Sequence, residues 1–295
     1  MLSTDLDDTL VGSHDGLLEF NELWKSQCAP RGCKLVYNTG RSLEDYRALL
    51  RDWPLQVPDM FIGGCGSQIY TFDEKMNAIA DETWIKRLQK DWHKPTAKQA
   101  ILSSRDLIDK YGKLEEKRES RTNDYMFSLS IADKGFDLNE VKRDFARVLE
   151  QQTPLKVQII GASVAYHTGS TVTRSDGDAG NRIFLDVLPK AAGKGPALAY
   201  VGEKMGLSME QTIVAGDSGN DVSMFTYVHR SGKGSIGGSS GGRTVGAGIM
   251  VGNAREELRA VRTKDHVLAR RRHAGGIVEG LMTLGAIVRK GTLRS

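Results

Sequence analysis

The residues best suited to chemistry fall in four short clusters spread in order along the chain. They are Asp5-Leu6-Asp7-Asp8-Thr9, Thr39-Gly40-Arg41-Ser42, Lys194 between Gly193 and Gly195, and Gly216-Asp217-Ser218-Gly219-Asn220-Asp221. Asp5 and Asp7 stand two residues apart at what reads as the C-terminal end of a strand, where open α/β sheets bind ligands. One carboxylate there can attack phosphorus, and the other can protonate a leaving oxygen and then activate water. An Asp-rich segment with a threonine is equally a helix-capping turn, so this cluster decides nothing alone. Thr39 ends a second strand, and its hydroxyl with nearby backbone donors can hold phosphate oxygens; Thr-Gly by itself is only a strand-to-helix turn. Lys194 opens a helix, where the dipole disfavours a cation, which points to a task such as neutralising Asp5 and phosphate. Lys190 is its rival but precedes the turn glycine. Asp217 and Asp221 follow the apolar stretch 212–215 and can both approach a divalent cation. Magnesium suits them, because it takes few carboxylates alongside waters and phosphate oxygens. Together these groups are an inventory for moving a phosphoryl group. Gly216-Asp217-Ser218-Gly219 also has the form of a serine-protease nucleophile segment, but the strand–helix context excludes that role for Ser218.

The elements that must position these clusters can be read from apolar spacing. Leu17, Leu18, Leu23 and Trp24 predict a helix, 34–38 a strand ending at Thr39, and Ser42 with Asp45 a capping box opening a helix through Tyr46, Leu49 and Leu50. Residues 60–62 form another short strand before Gly63-Gly64-Cys65-Gly66. This alternation indicates a parallel sheet covered by helices. The middle differs: 84–121 reads as polar and mostly helical, 125–132 as a strand and 138–149 as a helix. Strands follow at 157–160 and 164–167, separated by Gly161, and at 183–188. The first pattern then resumes with a helix over 195–205, a strand over 212–215, a helix from Gly219, a strand over 249–251 and a helix capped by Asn253. The expected fold is α/β: a doubly wound parallel-sheet core from 1–82 and 189–295, with an α+β module of 83–188 inserted. The Gly/Ser-rich stretch 230–248 reads as a flexible insertion at the sheet edge opposite the acidic clusters. Its GxGxxG match at 232–237 is discounted, since no strand precedes it.

Composition narrows the class. The 295 residues are enough for one large or two ordinary domains, and 39% hydrophobic with 26% charged content is that of a globular protein. A net charge of +4, from 41 basic and 37 acidic residues, does not indicate nucleic acid, though it favours an anionic substrate. No apolar run approaches membrane-spanning length. The three cysteines, Cys28, Cys33 and Cys65, form no CxxC pair, which argues against a disulfide framework or zinc site and for a reducing, cytoplasmic setting. No targeting peptide fits before Asp5. The few residues ahead of it are short for a buried strand, which points to a longer natural N-terminus.

The clusters, in this order, resemble the haloacid dehalogenase superfamily, whose phosphatases share DxDxT, Thr, Lys and GDxxxD motifs. Within it the chain is most similar to the sucrose-phosphate phosphatases of plants and cyanobacteria. That narrower likeness rests on the four clusters together with Leu185-Asp186-Val187-Leu188-Pro189, Ala192-Gly193-Lys194-Gly195, Ala197-Leu198-Ala199-Tyr200 and Val251-Gly252-Asn253-Ala254. The resemblance implies a core with a mobile cap, 83–188, that recognises the sugar. It implies Asp5 as nucleophile and Asp7 as acid/base, with Thr39 and Lys194 completing the catalytic set. Thr39, Gly40, Arg41, Lys194 and Asn220 would bind substrate, and Asp5, Asp7, Asp217 and Asp221 would hold Mg2+. The implied reaction is hydrolysis of sucrose 6-phosphate through an aspartyl-phosphate. The enzymatic alternatives are glucosylglycerol phosphate, mannosylglycerate phosphate or another phosphosugar, with a mutase further off. A non-catalytic module keeping the fold is the alternative of another class, and the intact acidic set argues against it. The partner expected is a phosphorylated sugar, with association with the sugar-phosphate synthase as the one protein partnership and neither nucleic acid nor membrane.

Overall fold

Short apolar runs ending in acidic or glycine turns become parallel strands. The computed structural model describes residues 1–164, 181–231 and 246–288. Most of the 230–248 insertion, with its GxGxxG match, and the stretch 165–167 lie outside the described residues. The strands are β1 (Leu2–Thr4), β2 (Leu35–Asn38), β3 (Met60–Gly63), β4 (Gln68–Phe72), β5 (Ala78–Ala80), β6 (Glu115–Glu116), β7 (Phe127–Ala132), β8 (Val157–Val164), β9 (Arg182–Pro189), β10 (Ile213–Gly216), β11 (Ala247–Met250) and β12 (His266–Leu268).

Eight of them form one sheet in the order β12-β11-β10-β1-β2-β3-β4-β5. Pairing is parallel from β12 to β3 and antiparallel at β3–β4 and β4–β5. Side chains alternate between two helical layers, as a doubly wound sheet requires. Ala215, Ile249 and Val251 face the cluster built from helices His14–Leu23, Leu43–Leu49 and His273–Thr283. Val214 and Met250 face Leu198, Met224 and Phe225 from helices Lys194–Lys204 and Val222–Ser231. β1 through β3 build outward on one side of β1, and β10 through β12 on the other. The topological switch point therefore lies between β1 and β10, where ligands of such sheets bind. Though only three residues long, β1 is hydrogen-bonded on both sides and wholly buried.

The chain divides into two compact units, Met1–Asp81 with Gly193–Ser295, and Glu82–Ala192. The return to the first unit comes at Gly193 rather than 189. β9 runs to Pro189, Lys190 N donates to Lys156 O, and Ala192 N donates to Pro189 O, which ties these residues to the second unit. That unit is an antiparallel sheet, β6-β7-β9-β8, with its own core. Phe127, Leu129, Ile131, Ile183, Leu185 and Val187 meet Ala97, Ile101, Val141, Phe145 and Leu149 from the helices Lys94–Leu102 and Leu138–Gln152.

Two expectations about local structure are corrected. The break expected at Gly161 is absent: β8 runs through it to Val164, with its pairing to β9 unbroken at Gly161↔Leu185, and the rest of the expected 164–167 strand lies outside the described residues. Without a side chain, Gly161 leaves room for Leu185 and Leu138, so the glycine serves packing rather than a turn. Asn253 does not cap a helix; Arg255 is the N-cap of Glu256–Arg259, and Asn253 is used elsewhere.

Candidate active site

Three strand ends bring the first, second and fourth sequence clusters together. β1 delivers Asp5, β2 delivers Thr39 and β10 delivers Asp217, all at C-terminal ends beside the switch point. Helix Lys194–Lys204 supplies Lys194 from its first residue, with Gly193 as N-cap. A side chain at Gly195 would fall 2.5 Å from the Ser223 carbonyl oxygen, so the glycine beside the lysine lets this helix start close to the next one.

Lys194 is completely buried, and its ammonium lies 2.9 Å from Asp5 Oδ1 and 2.7 Å from Asp221 Oδ1. It also donates to Asn220 Oδ1 at 3.3 Å. Its two carboxylate partners hold it charged, well above the ordinary lysine value, despite the opposing effect of burial. Lys190, the rival, is exposed in the other unit. Asp221 is fully engaged, with Oδ2 accepting from the backbone N–H of Asp217 at 3.0 Å and of Ser218 at 3.1 Å. This packing requires Gly216, whose added Cβ would stand 2.7 Å from three Asp221 side-chain atoms. Asp221 thus braces both the Asp217 turn and Lys194.

Asp5, Asp217 and Asp221 each offer a carboxylate oxygen within 4.8 Å of the others, and all three are buried. One buried ammonium does not offset three carboxylates. Burial first, and then Asp221 and Asp217, push Asp5 up to about 8 against the pull of Lys194. Burial and then Asp221 push Asp217 up to about 7, with Thr9 opposing. An all-oxygen donor set with excess negative charge fits a hard divalent cation.

Asp7 stands apart from this cradle. Its carboxylate is gripped by Arg41, with Nε to Oδ2 at 2.8 Å and Nη2 to Oδ1 at 2.6 Å, and its side chain is 48% exposed. The geometry therefore does not support the side chain of Asp7 as a metal ligand, and it gives Arg41 a carboxylate partner within the chain. Thr39 is buried, and its Oγ1 accepts from Arg41 N at 3.2 Å, shaping the turn through Gly40. A Cβ on Gly40 would lie 4.0 Å from Asn220 Nδ2, so that amide borders the same turn.

Other residues support the site without having been assigned a role from sequence. Thr9 Oγ1 donates to Asp217 Oδ1 at 3.1 Å, and Asn38 Nδ2 donates to Lys194 O at 2.9 Å. Asn253 donates from Nδ2 to Asp8 O and accepts from His273 N at 3.0 Å. It thereby ties together two non-glycine residues with left-handed backbones, Asp8 at φ 54° and His273 at φ 51°. The threonine of the first motif was a visible signal for Thr9; nothing local marked Asn38, and Asn253 had the look of a cap.

The family model for sucrose-6F-phosphate phosphohydrolase matches residues 1–232. The chain belongs to this family. It is 31% identical to probable sucrose-phosphatase 2 of Arabidopsis thaliana, over 95% of this chain and 58% of that one. It thus spans somewhat over half the length of that plant relative. With the mannosylfructose-phosphate phosphatase of Agrobacterium fabrum it shares 29% identity over 97% of this chain and 96% of that one. In fold it matches the sucrose-phosphatase of Synechocystis sp. PCC6803, solved with sucrose and phosphate, at TM-score 0.70 and 24% identity over 98% of each chain. A sugar phosphatase of haloacid dehalogenase subclass IIB matches at TM-score 0.56 and 17% identity, over 97% of this chain and 99% of that one. The fold is that of the haloacid dehalogenase superfamily. Among the described residues, no helix is long and apolar enough to cross a membrane.

Proposed function

We propose that the chain is a magnesium-dependent phosphatase of a phosphorylated disaccharide, with sucrose 6-phosphate as the leading substrate. The observation that carries this reading is the buried Asp5, held at the end of the central strand between Lys194 and the Asp217 carboxylate. Asp5 attacks the phosphoryl group and forms an aspartyl-phosphate, which water then cleaves. Lys194 favours the ionised form of Asp5, which a bound divalent cation would complete, and it faces the charge of the incoming phosphate. Magnesium held by Asp5 and Asp217, with Asp221 bracing them, would offset the repulsion between Asp5 and the phosphate dianion. Thr39, Gly40 and Asn220 hold phosphate oxygens at the adjoining turn. Asp7 supplies the proton to the leaving sugar oxygen and later draws one from water, and Arg41 holds its carboxylate between these tasks.

The Glu82–Ala192 unit recognises the sugar as a cap. A second substrate, mannosylfructose phosphate, is favoured by the Agrobacterium relative, which matches over nearly the full length of both chains. Three cysteines without a CxxC pair suit a reducing compartment such as the cytoplasm. The test is phosphate release from a panel of sugar phosphates and an aryl phosphate, with magnesium and with excess chelator. Selective, chelator-sensitive hydrolysis of sucrose 6-phosphate supports the reading; selectivity for mannosylfructose phosphate moves it to the second substrate; full activity in chelator rejects it.

A further inference from the structure

The helix that begins at His14 ends in a way that brings two cysteines side by side. It widens to a π-helix over Trp24–Cys28 and tightens to a 3-10 turn over Ala29–Arg31. Gly32 then takes a left-handed backbone at φ 73°. Two hydrogen bonds close the end: Gly32 N donates to Ala29 O at 2.9 Å, and Cys33 N donates to Cys28 O at 3.2 Å. This nested pair is the Schellman arrangement, in which the residue after the glycine packs its side chain on the residue five before it. Here those two residues are Cys33 and Cys28. Cys28 is a buried member of the large core cluster, and Cys33 packs against that cluster while remaining partly exposed. Burial and the neighbouring Cys33 push the Cys28 thiol up, while the Arg31 guanidinium beside it favours the thiolate. The closing hydrogen bond holds the two backbones together and the two thiols interact, the proximity that a disulfide requires.

We propose that Cys28 and Cys33 form a reversible intramolecular disulfide when the chain meets a small-molecule disulfide such as oxidised glutathione. Cys33, the accessible thiol, attacks as its thiolate; one glutathione sulfur bonds to Cys33 and the other leaves as thiolate and takes up a proton. Cys28 then attacks the Cys33 sulfur, loses its own proton and expels the second glutathione as thiol. Two cysteine thiols are oxidised, and one glutathione disulfide is reduced to two thiols. The bond staples the helix end to the segment entering β2. It lies before the N-terminal end of β2, whereas Thr39 follows the C-terminal end, so it raises stability and leaves turnover unchanged. A reducing compartment would keep it open at rest.

The experiment treats the full chain with oxidised glutathione, blocks remaining thiols and maps tryptic peptides without reductant. The expected product joins peptide 26–31 to peptide 32–34, leaves Cys65 as the one blocked thiol, and separates on adding reductant. The oxidised protein should melt a few degrees higher with unchanged phosphate release. Cys28→Ser should retain glutathione on Cys33, and Cys33→Ser should leave Cys28 unmodified. Glutathione remaining on Cys33 of the unsubstituted chain, a link to Cys65, or no reaction at either thiol would overturn the proposal. The peptide map of the unsubstituted chain decides it even if either variant fails to fold.

Discussion

At the scale of residues, the site is a balance of buried charge in which the carboxylates share few partners. Lys194 serves Asp5 and Asp221, backbone amides serve Asp221, and Thr9 serves Asp217. Thr9→Val removes the hydroxyl that orients Asp217 while keeping the shape of the side chain. It should lower turnover or magnesium affinity about 10–100-fold, the range for residues that orient metal ligands; unchanged metal titration and turnover would show that Thr9 only fills space. A second expectation concerns pH. Folding raises Asp5 from 3.8 to about 8 and Asp217 from 3.8 to about 7. The folded, metal-free chain therefore retains protons that the unfolded chain releases. The stability these two groups contribute is fullest below the ordinary carboxylate value and falls as pH rises through the window up to about 7–8. Thermal melts in chelator should drop across that window, and magnesium should restore more stability at its upper end. Melts in chelator that stay level or rise there would contradict this account of the cluster.

At the scale of elements, the strand ends carry the residues of the proposed chemistry, and close packing behind them sets their geometry. Gly216→Ala would force a Cβ to within 2.7 Å of the buried Asp221 side chain, which cannot move without releasing Lys194 and the Asp217 turn. We expect destabilisation of about 1–3 kcal/mol, as for other overpacked interiors, together with a large fall in turnover. A melt and a phosphate-release rate both equal to those of the unsubstituted chain would show the turn to be more yielding. This geometry also explains what was legible in the sequence. Asp5, Thr39, Lys194 and Asp217 stand at ends of apolar runs with parallel-sheet spacing, and the Ser42–Asp45 capping box is formed by both partners. The antiparallel strands β4 and β5 were not legible, because β4 mixes polar and apolar residues that are mostly half-buried and β5 is only three residues long and mostly exposed. The assignment of Asn253 failed for another reason. A cap is a local event, whereas its partners here are Asp8 and His273, far away in the chain. The Asp7–Arg41 pair was hidden in the same way, since spacing along a chain does not say which cation a carboxylate will face.

At the scale of the whole molecule, two cores divide the labour proposed for them. Phe145 is completely buried in the core of the Glu82–Ala192 unit. Phe145→Ala should cost about 3–5 kcal/mol within that unit. Hydrogen exchange should rise there and stay level through β1, β2 and β10, and sugar-phosphate hydrolysis should fall more than aryl-phosphate hydrolysis. Equal loss of both activities would mean that the second unit does more than recognise the sugar. The proposed function turns on Asp5, the buried carboxylate at the end of the central strand beside Lys194, as the nucleophile. Asn has nearly the same shape and is a far poorer nucleophile. The direct measurement is phosphate release from sucrose 6-phosphate with magnesium, by purified Asp5→Asn beside the unsubstituted chain, with melts to show that both are folded. The account predicts rapid release by the unsubstituted chain and a loss of roughly 10⁴-fold or more in the variant, the scale of single nucleophile knock-outs. A folded Asp5→Asn protein that releases phosphate at a comparable rate would contradict it.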